Sequence, residues 1–459
     1  MAKNKRNTKY VCTSCGAETP RWMGRCPSCG AWNTMEEVTE APESAVPTRF
    51  VASSGGGAPR RLSDISLSSE KRLVLGLPEV DRPLGGGIVP GSVILWGGEP
   101  GIGKSTLVMQ ICQAAASSGR PILYASGEES EYQIKMRADR LHVEGDKVFV
   151  SSGADLSRIL DMAKEMKPAL LVVDSIQTMY MPESSSPAGS PGQIRDVTAS
   201  LVRLAKELSI AVLIVGHVTK EGNLAGPRML EHMVDVVLYL EGDRSYQFRV
   251  LRTVKNRFGA TSETGLFMMK EDGLHGIADP SRFLLSDKEK DTAGQIVFPS
   301  MEGLRPVLTE IQALTVHSVL SIPRRISVGY DLSRLIVLLA VLERKASLSL
   351  SHDDVYLNVA GGLRLRETAA DLAAALAVAS VKRDQPIPSA TAAMGEVGLT
   401  GEILPVSHIE LRLREAAKMS FSHFIIPEGN RKEAERLVKT MTGADAVYVS
   451  TLREALAFL

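Results

Sequence analysis

The chain has 459 residues, more than one hydrophobic core supports, so two to three folded units are expected. Lysine plus arginine equals aspartate plus glutamate at 53 each, which excludes a wholesale polyanion binder and leaves room for local basic surfaces. The longest apolar run, Leu335 to Leu342, is too short to span a membrane, and no apolar stretch follows the basic start Met1–Arg6. Five cysteines do not make a disulfide framework in a chain this long, and a cytoplasmic protein is expected.

Four of the five cysteines fall within eighteen residues, as Cys12-x2-Cys15 and Cys26-x2-Cys29. Two such turns aim four sulfurs at one ion at about 2.3 Å, the tetrahedral set suited to Zn²⁺. Gly16 and Gly30, each after the second cysteine of a pair, let the chain turn away from the metal. A redox dithiol, a disulfide pair and an iron–sulfur site are the competing readings, and doubled Cys-x-x-Cys in a reducing compartment favours structural zinc. Residues 1–35 therefore form a four-cysteine zinc finger, on which Trp22 and Trp32 are expected to pack; the alternative is an exposed aromatic surface for DNA stacking. Residues 36–62, rich in Ser, Gly, Pro, Ala and acidic side chains without periodicity, read as a linker.

An ATPase core is expected over 63–278. Predicted strands Val93–Trp96, Ile122–Ala125, Val148–Val150, Leu170–Val173, Val212–Val215, Val236–Leu240 and Phe248–Val254 alternate mostly with helical patterns. The fold class is α/β, a mainly parallel sheet with helices on both faces, and ligands bind such sheets at the C-terminal strand ends. Gly98-Glu99-Pro100-Gly101-Ile102-Gly103-Lys104-Ser105 fits the phosphate loop of ATP-binding proteins, between a buried strand and a helix opening at Thr106. Its backbone N–H groups cradle phosphate, Lys104 reaches the β/γ oxygens and the Ser105 hydroxyl takes one Mg²⁺ position. Asp174 ends an apolar strand and is the second Mg²⁺ candidate. Glu128 and Glu129 end another strand, and either can serve as general base toward water. His217, closing a third strand, is a candidate γ-phosphate sensor. Cys112, in the helix after the loop, reads as a small core residue.

Lys255-Asn256-Arg257-Phe258-Gly259 follows the Phe248–Val254 strand. Lys255 and Arg257 lie two residues apart on an extended segment and point the same way. Supplied across a subunit interface, they would stabilise transition-state charge as arginine fingers do. Two loops on the ATP side, Met181–Gly192 with Arg195 after it and Thr219–Met229 with Lys220 and Arg228, are candidate DNA contacts.

The set that runs from the four-cysteine finger through Leu84-Gly85-Gly86-Gly87-Ile88, the phosphate loop and Asp174 to Lys255–Gly259 resembles the bacterial RadA (Sms) family. That resemblance covers essentially the whole chain and implies a RecA-related DNA repair protein. It also implies a hexameric ring with ATP at subunit interfaces, single-stranded DNA in the channel, and translocation during branch migration of DNA from a RecA-type recombinase.

From 279 to 459 the pattern changes. A strand is predicted over Val307–Leu314, helices over Asp331–Leu342 and Thr368–Val381, a strand–turn–strand over Gly398–Pro405, and a strand near Phe424–Pro427. This α+β order resembles the proteolytic domain of Lon. Ala369 stands near that family's serine position and Glu410 near its lysine position; a shifted alignment finds Thr368 but no lysine before Lys418. Without a Ser/Lys pair an inactive platform is expected rather than a peptidase. Arg305, Arg324, Arg325, Arg344 and Lys345 are its candidate DNA-phosphate contacts. A KaiC-like ATPase or kinase switch without DNA translocation is the alternative function.

Overall fold

The structure is a computed structural model that describes residues 8–12, 18, 19, 22–25, 27, 30, 32, 35–39, 61, 72–183, 187, 189–216, 229–242, 248–285 and 292–459. Cys15, Cys26, Cys29, His217, Lys220, Arg228 and all but a few residues of the 36–62 segment lie outside that set, as does the side chain of Cys12. The chain divides into two compact units, Met1–Ser66 and Leu67–Leu459.

In the first unit, β1 (Thr8–Cys12) lies between β2 (Glu18–Thr19) and β3 (Met35–Thr39) in an antiparallel ribbon. Trp22 and Trp32 do not pack inward as expected. They are 58% and 70% exposed, because among the described residues the ribbon of three short strands has no second layer to bury an indole. The Arg25 guanidinium sits over the Trp32 ring, 5.8 Å from its centroid.

The second unit opens with the short α1 (Pro78–Asp81) and then alternates strands and helices. In chain order these are β4 (Val93–Gly98), α2 (Lys104–Ala116), β5 (Ile122–Ser126), α3 (Glu131–Arg140), β6 (Val148–Ser152), α4 (Leu156–Met166), β7 (Leu170–Asp174), α5 (Pro191–Leu208) and β8 (Ala211–Val215). There follow α6 (Met229–Met233), β9 (Val236–Glu241), β10 (Phe248–Asn256), β11 (Thr264–Lys270), β12 (Gly273–Gly276) and α7 (Ser281–Leu284).

The nine strands β4–β12 form one sheet, ordered β12-β11-β10-β9-β4-β8-β7-β5-β6. The six from β9 to β6 run parallel, and β10, β11 and β12 extend the edge antiparallel. The inner parallel strands are apolar because both faces are covered, whereas the edge strand β6 is partly exposed. On β4, Ile94 and Trp96 join the core under α2, whereas Val93 and Leu95 join the core with α4 and α5.

The rest of the unit comprises β13 (Gln295–Glu302), β14 (Arg305–His317), β15 (Arg325–Val328), α8 (Leu332–Ala346), β16 (Asp353–Val359), α9 (Asp371–Arg383), β17 (Thr391–Ala393), β18 (Glu396–Val397), β19 (Ile403–Leu404), α10 (Ile409–Lys418), β20 (His423–Pro427), α11 (Arg431–Val438), β21 (Asp445–Val449) and α12 (Leu452–Leu456). Its seven-stranded sheet is ordered β15-β16-β14-β13-β17-β20-β21. Alanine-rich α9 is buried from Asp371 to Ser380, small side chains letting it lie close to β13 and β14. The two sheets share a core, since Val250 and Leu266 of the first, with Ile277 just after β12, pack in the cluster of the second. The β13–β14 turn meets the connection between β10 and β11: Leu304 N–H donates to Ser262 O at 2.9 Å. Gly303 at that turn has φ +67°, and a Cβ there would lie 1.8 Å from the Ser262 oxygen, so only glycine permits the approach.

Candidate nucleotide-binding site

Strand β4 delivers the phosphate loop to the C-terminal edge of the parallel strands, and α2 begins immediately after Gly103. Gly103 caps α2 in a left-handed conformation, φ +111°, where a Cβ would stand 2.7 Å from Met269 Cε. Buried Arg249 of β10 donates through Nε to Ile102 O at 3.1 Å and fixes the loop from behind. Lys104, 4% exposed, donates through Nζ to Gly98 O at 2.8 Å and Glu99 O at 3.0 Å, so its ammonium sits over the hollow of the loop. Glu99 and Pro100 are exposed at the rim. Gly101, Gly103, Lys104, Ser105 and Thr106 line a cleft of about 510 Å³ together with Glu129 and Arg137 and with Met269, Lys270, Glu271 and Gly273 of the β11–β12 hairpin.

Two strands from β4, β7 ends at buried Asp174. The Tyr124 hydroxyl donates to Asp174 Oδ2 at 2.5 Å. Burial, and then the Asp174 charge, pushes the Tyr124 phenol well above its ordinary range, so it stays a neutral donor. Burial likewise raises the Cys112 thiol, as suits an inert core cysteine. Ser105 and Asp174 are hard oxygen donors of the kind that fit Mg²⁺.

The adjacent glutamates diverge. Ser126 Oγ accepts from the N–H groups of Glu128 at 3.4 Å and Glu129 at 3.0 Å, which shapes the turn. Glu128 then accepts from the Ser175 hydroxyl, next to Asp174, while Glu129 forms an ion pair with Arg137 of α3. Tyr124, Ser175, Arg249 and Arg137 escaped the sequence reading. For Arg137 a signal existed: Ser130 and Gln133 form a capping box that starts α3, which carries Arg137 back beside the strand end.

Lys255 and Arg257 occupy the other edge of the sheet, a correction to the expectation that the functional residues share the C-terminal strand ends. Asn256 pairs with Val236 at the start of β9, and Arg257 N–H donates to Asp235 O at 3.1 Å. Asp235 N–H in turn meets Val93 O at the beginning of β4, five residues and roughly 16 Å of strand from Gly98. Lys255 Nζ caps the end of α6, donating to Glu231 O at 2.7 Å, His232 O at 3.3 Å and Val234 O at 2.8 Å. Partial desolvation, and then Arg257, lowers its pKa. Arg257 pairs with buried Asp235 at 3.3 Å and remains 57% exposed.

The cations expected on DNA are dispersed. Arg195 lies on α5, exposed, 3.7 Å from Asp196. Arg305 is largely buried, paired with Glu79 at 2.7 Å and donating to Ile277 O and Ala278 O at 3.0 and 2.6 Å, a strut between the two sheets. Arg325 donates to backbone carbonyls of Arg324, Asp353 and Leu350. Arg324, Arg344 and Lys345 are exposed. In the same domain the Thr368 hydroxyl donates to Glu396, Lys418 pairs with Asp279 at 3.1 Å, Ala369 is buried and Glu410 is exposed. Among the described residues no helix is long and apolar enough to cross a membrane.

Three family models match the chain: a rubredoxin metal binding domain over residues 10–37, an AAA domain over 59–223 and subunit ChlI of Mg-chelatase over 333–430. The first agrees with the zinc finger and the second with nucleotide binding. DNA repair protein RadA of Bacillus subtilis (strain 168) is 48% identical over 432 residues, 94% of either chain. That of Listeria monocytogenes serovar 1/2a is 46% identical over 456 residues, 99% of either chain, and that of Escherichia coli (strain K12) 46% over 436 residues, 94% of either. With a zinc ribbon, a phosphate-loop ATPase domain on a mostly parallel sheet and such identity along nearly its whole length, the chain belongs to the DNA repair protein RadA family.

Proposed function

We propose that the chain hydrolyses ATP as a DNA-stimulated motor in recombinational repair, working as a ring of six copies in which each site is completed by its neighbour. The observation that carries this is the position of Lys255 and Arg257 at the strand edge opposite their own phosphate loop. They are too far to reach a nucleotide held by the same chain, yet Arg257 is exposed and available to one held by another. Exposed apolar side chains support self-association: Leu314, Val316, Ile326 and Val328 lie on one side of β14 and β15, and α8 carries exposed Leu332, Ile336 and Val337.

In this reading the phosphate loop, from Gly98 to Thr106, binds ATP, and Lys104 turns from its two carbonyls to the β/γ oxygens. Mg²⁺ held by Ser105 and Asp174 would neutralise phosphate charge. Glu128 takes the proton of the attacking water, since Ser175, the neighbour of Asp174 in the chain, holds its carboxylate. Arg257, with Lys255, stabilises charge on the neighbour's terminal phosphate, and His217 senses that phosphate. Single-stranded DNA follows the loops after β7 and β8, with Arg195, Lys220 and Arg228 as phosphate contacts. Branched recombination intermediates are the substrate and a RecA-type recombinase the partner. A KaiC-like switch is less well supported, because the similar proteins above are DNA repair proteins.

The test measures ATP hydrolysis with and without single-stranded DNA for the wild type, Lys104→Ala, Arg257→Ala and an equal mixture of the two variants. Arg257→Ala is preferred to Lys255→Ala, which would also uncap α6. Each variant alone should be inactive. The mixture should regain about a quarter of wild-type activity, from random pairing of an intact loop with an intact finger. Two inactive variants that stay inactive when mixed would remove the shared site, and hydrolysis indifferent to DNA would remove the motor.

A further inference from the structure

The Glu129–Arg137 pair is only half satisfied. Arg137 gives Nη2 to Glu129 Oε1, but its buried Nη1 finds no hydrogen-bond partner among the described residues, and neither does the buried Glu129 Oε2. A buried guanidinium N–H and a buried carboxylate oxygen are each costly to leave unpaired, so the arrangement calls for a partner that arrives later. Both side chains line the cleft that also holds Lys104, Ser105 and Thr106. Arg137 is also close enough to the Tyr124–Asp174 pair for its charge to act on the Tyr124 phenol, which places it toward the metal side of the cleft.

We propose that Arg137 is a phosphate-sensing residue acting within its own subunit, held in reserve by Glu129 until a nucleoside triphosphate fills the cleft. The guanidinium fork can keep one N–H on Glu129 or commit both to phosphate oxygens, and a triphosphate offers the greater negative charge. On loading, Arg137 leaves Glu129 for the terminal phosphate; after hydrolysis and phosphate loss, Glu129 recaptures it. Glu129 thus acts as a clamp that competes with the nucleotide, and Arg137 distinguishes triphosphate from diphosphate. This rests on the proposed ATP site and adds a second cation to it, separate from Arg257 of the neighbour.

The competition predicts opposite signs for the two partners. Fluorescent ATP and ADP analogues are titrated with Mg²⁺ into the full-length wild type, Arg137→Gln, Glu129→Gln and Lys104→Ala. Arg137→Gln should weaken the ATP analogue about tenfold and the ADP analogue less than about threefold, the scale of one charge-assisted contact. Glu129→Gln, which loosens the clamp, should tighten the ATP analogue about threefold. A merely structural ion pair would weaken binding in both variants and spare the ATP/ADP ratio, and that outcome overturns the proposal. A Glu129→Gln enzyme with unchanged affinity and collapsed turnover would make Glu129 the general base and overturn it equally. If Arg137→Gln does not fold by circular dichroism, the sign for Glu129→Gln decides alone. A wild type that binds neither analogue refutes the ATP site itself, a failure distinct from normal binding that the two substitutions leave untouched.

Discussion

Replacing Arg305 by methionine should destabilise the Leu67–Leu459 unit and leave DNA affinity unchanged. The guanidinium is 14% exposed and its partner Glu79 is 4% exposed, so the ion pair at 2.7 Å lies between the two sheets rather than on a surface. Methionine keeps most of the side-chain volume and removes three donors: one to Glu79 and one each to Ile277 O and Ala278 O. Breaking a buried pair costs roughly 3–5 kcal/mol, chiefly because one charge is left buried alone. Glu79 keeps the Leu266 N–H at 2.8 Å and Arg82 at 3.3 Å, so the lower end, about 3 kcal/mol, is expected. In a unit as large as Leu67–Leu459 that lowers the melting temperature by roughly 4 °C. Urea unfolding of the wild type, Arg305→Met, Glu79→Gln and the double variant closes a cycle whose coupling should be about 2 kcal/mol. Arg305 would be a phosphate contact, and the strut argument wrong, if Arg305→Met melts with the wild type while its DNA affinity and salt dependence fall.

Three further outcomes follow from the geometry. Gly103→Ala places a methyl group against Met269 at φ +111°, a strain of about 1–3 kcal/mol, and should weaken ATP-analogue binding about tenfold; unchanged affinity would refute a rigid loop. Burial raises the Glu302 carboxyl above its ordinary value of 4.5, against the opposing pull of Arg252. Because the folded state then holds the proton more tightly, the wild type should lose stability relative to the non-titrating Glu302→Gln as pH rises from 4.5 through the raised value. Thermal melts across that window that diverge the other way would contradict the assignment. Chelating zinc should unfold the Met1–Ser66 unit, changing emission from exposed Trp22 and Trp32 while buried Trp96 and the melt of the larger unit stay constant; unchanged emission would argue against a metal-dependent fold.

The parts of the site legible in the sequence are those built by short-range rules. The apolar runs ending at Gly98 and Asp174 read as buried parallel strands because both faces are covered, and the phosphate loop follows from local spacing. The edge occupied by Lys255 and Arg257 was not legible. The rule that ligands gather at C-terminal strand ends holds for parallel strands, whereas β10 returns antiparallel from β9 and carries its last residues to the opposite edge. Arg305 looked like a free cation because Glu79 lies 226 residues away, beyond any periodicity. Strands β11 and β12 escaped notice because Thr264–Lys270 lacks alternation, with burial of consecutive residues set by the neighbouring sheet and α2. The divergence of Glu128 and Glu129 depends on Ser175 and Arg137, contacts fixed only when β5, β7 and α3 meet.

In the proposed ring, the phosphate loop and the Lys255–Gly259 segment, on opposite edges of one sheet, would serve each copy as socket and plug. A two-fold dimer joins like surfaces, so plug-to-socket contact must propagate head to tail. An open arc therefore always ends in one socket without a plug, and its complete sites number one fewer than its copies. Only closure removes that idle site, so adding the last subunit gains two working interfaces rather than one. Activity measured against protein concentration should then rise with closure of the circle rather than with mass assembled.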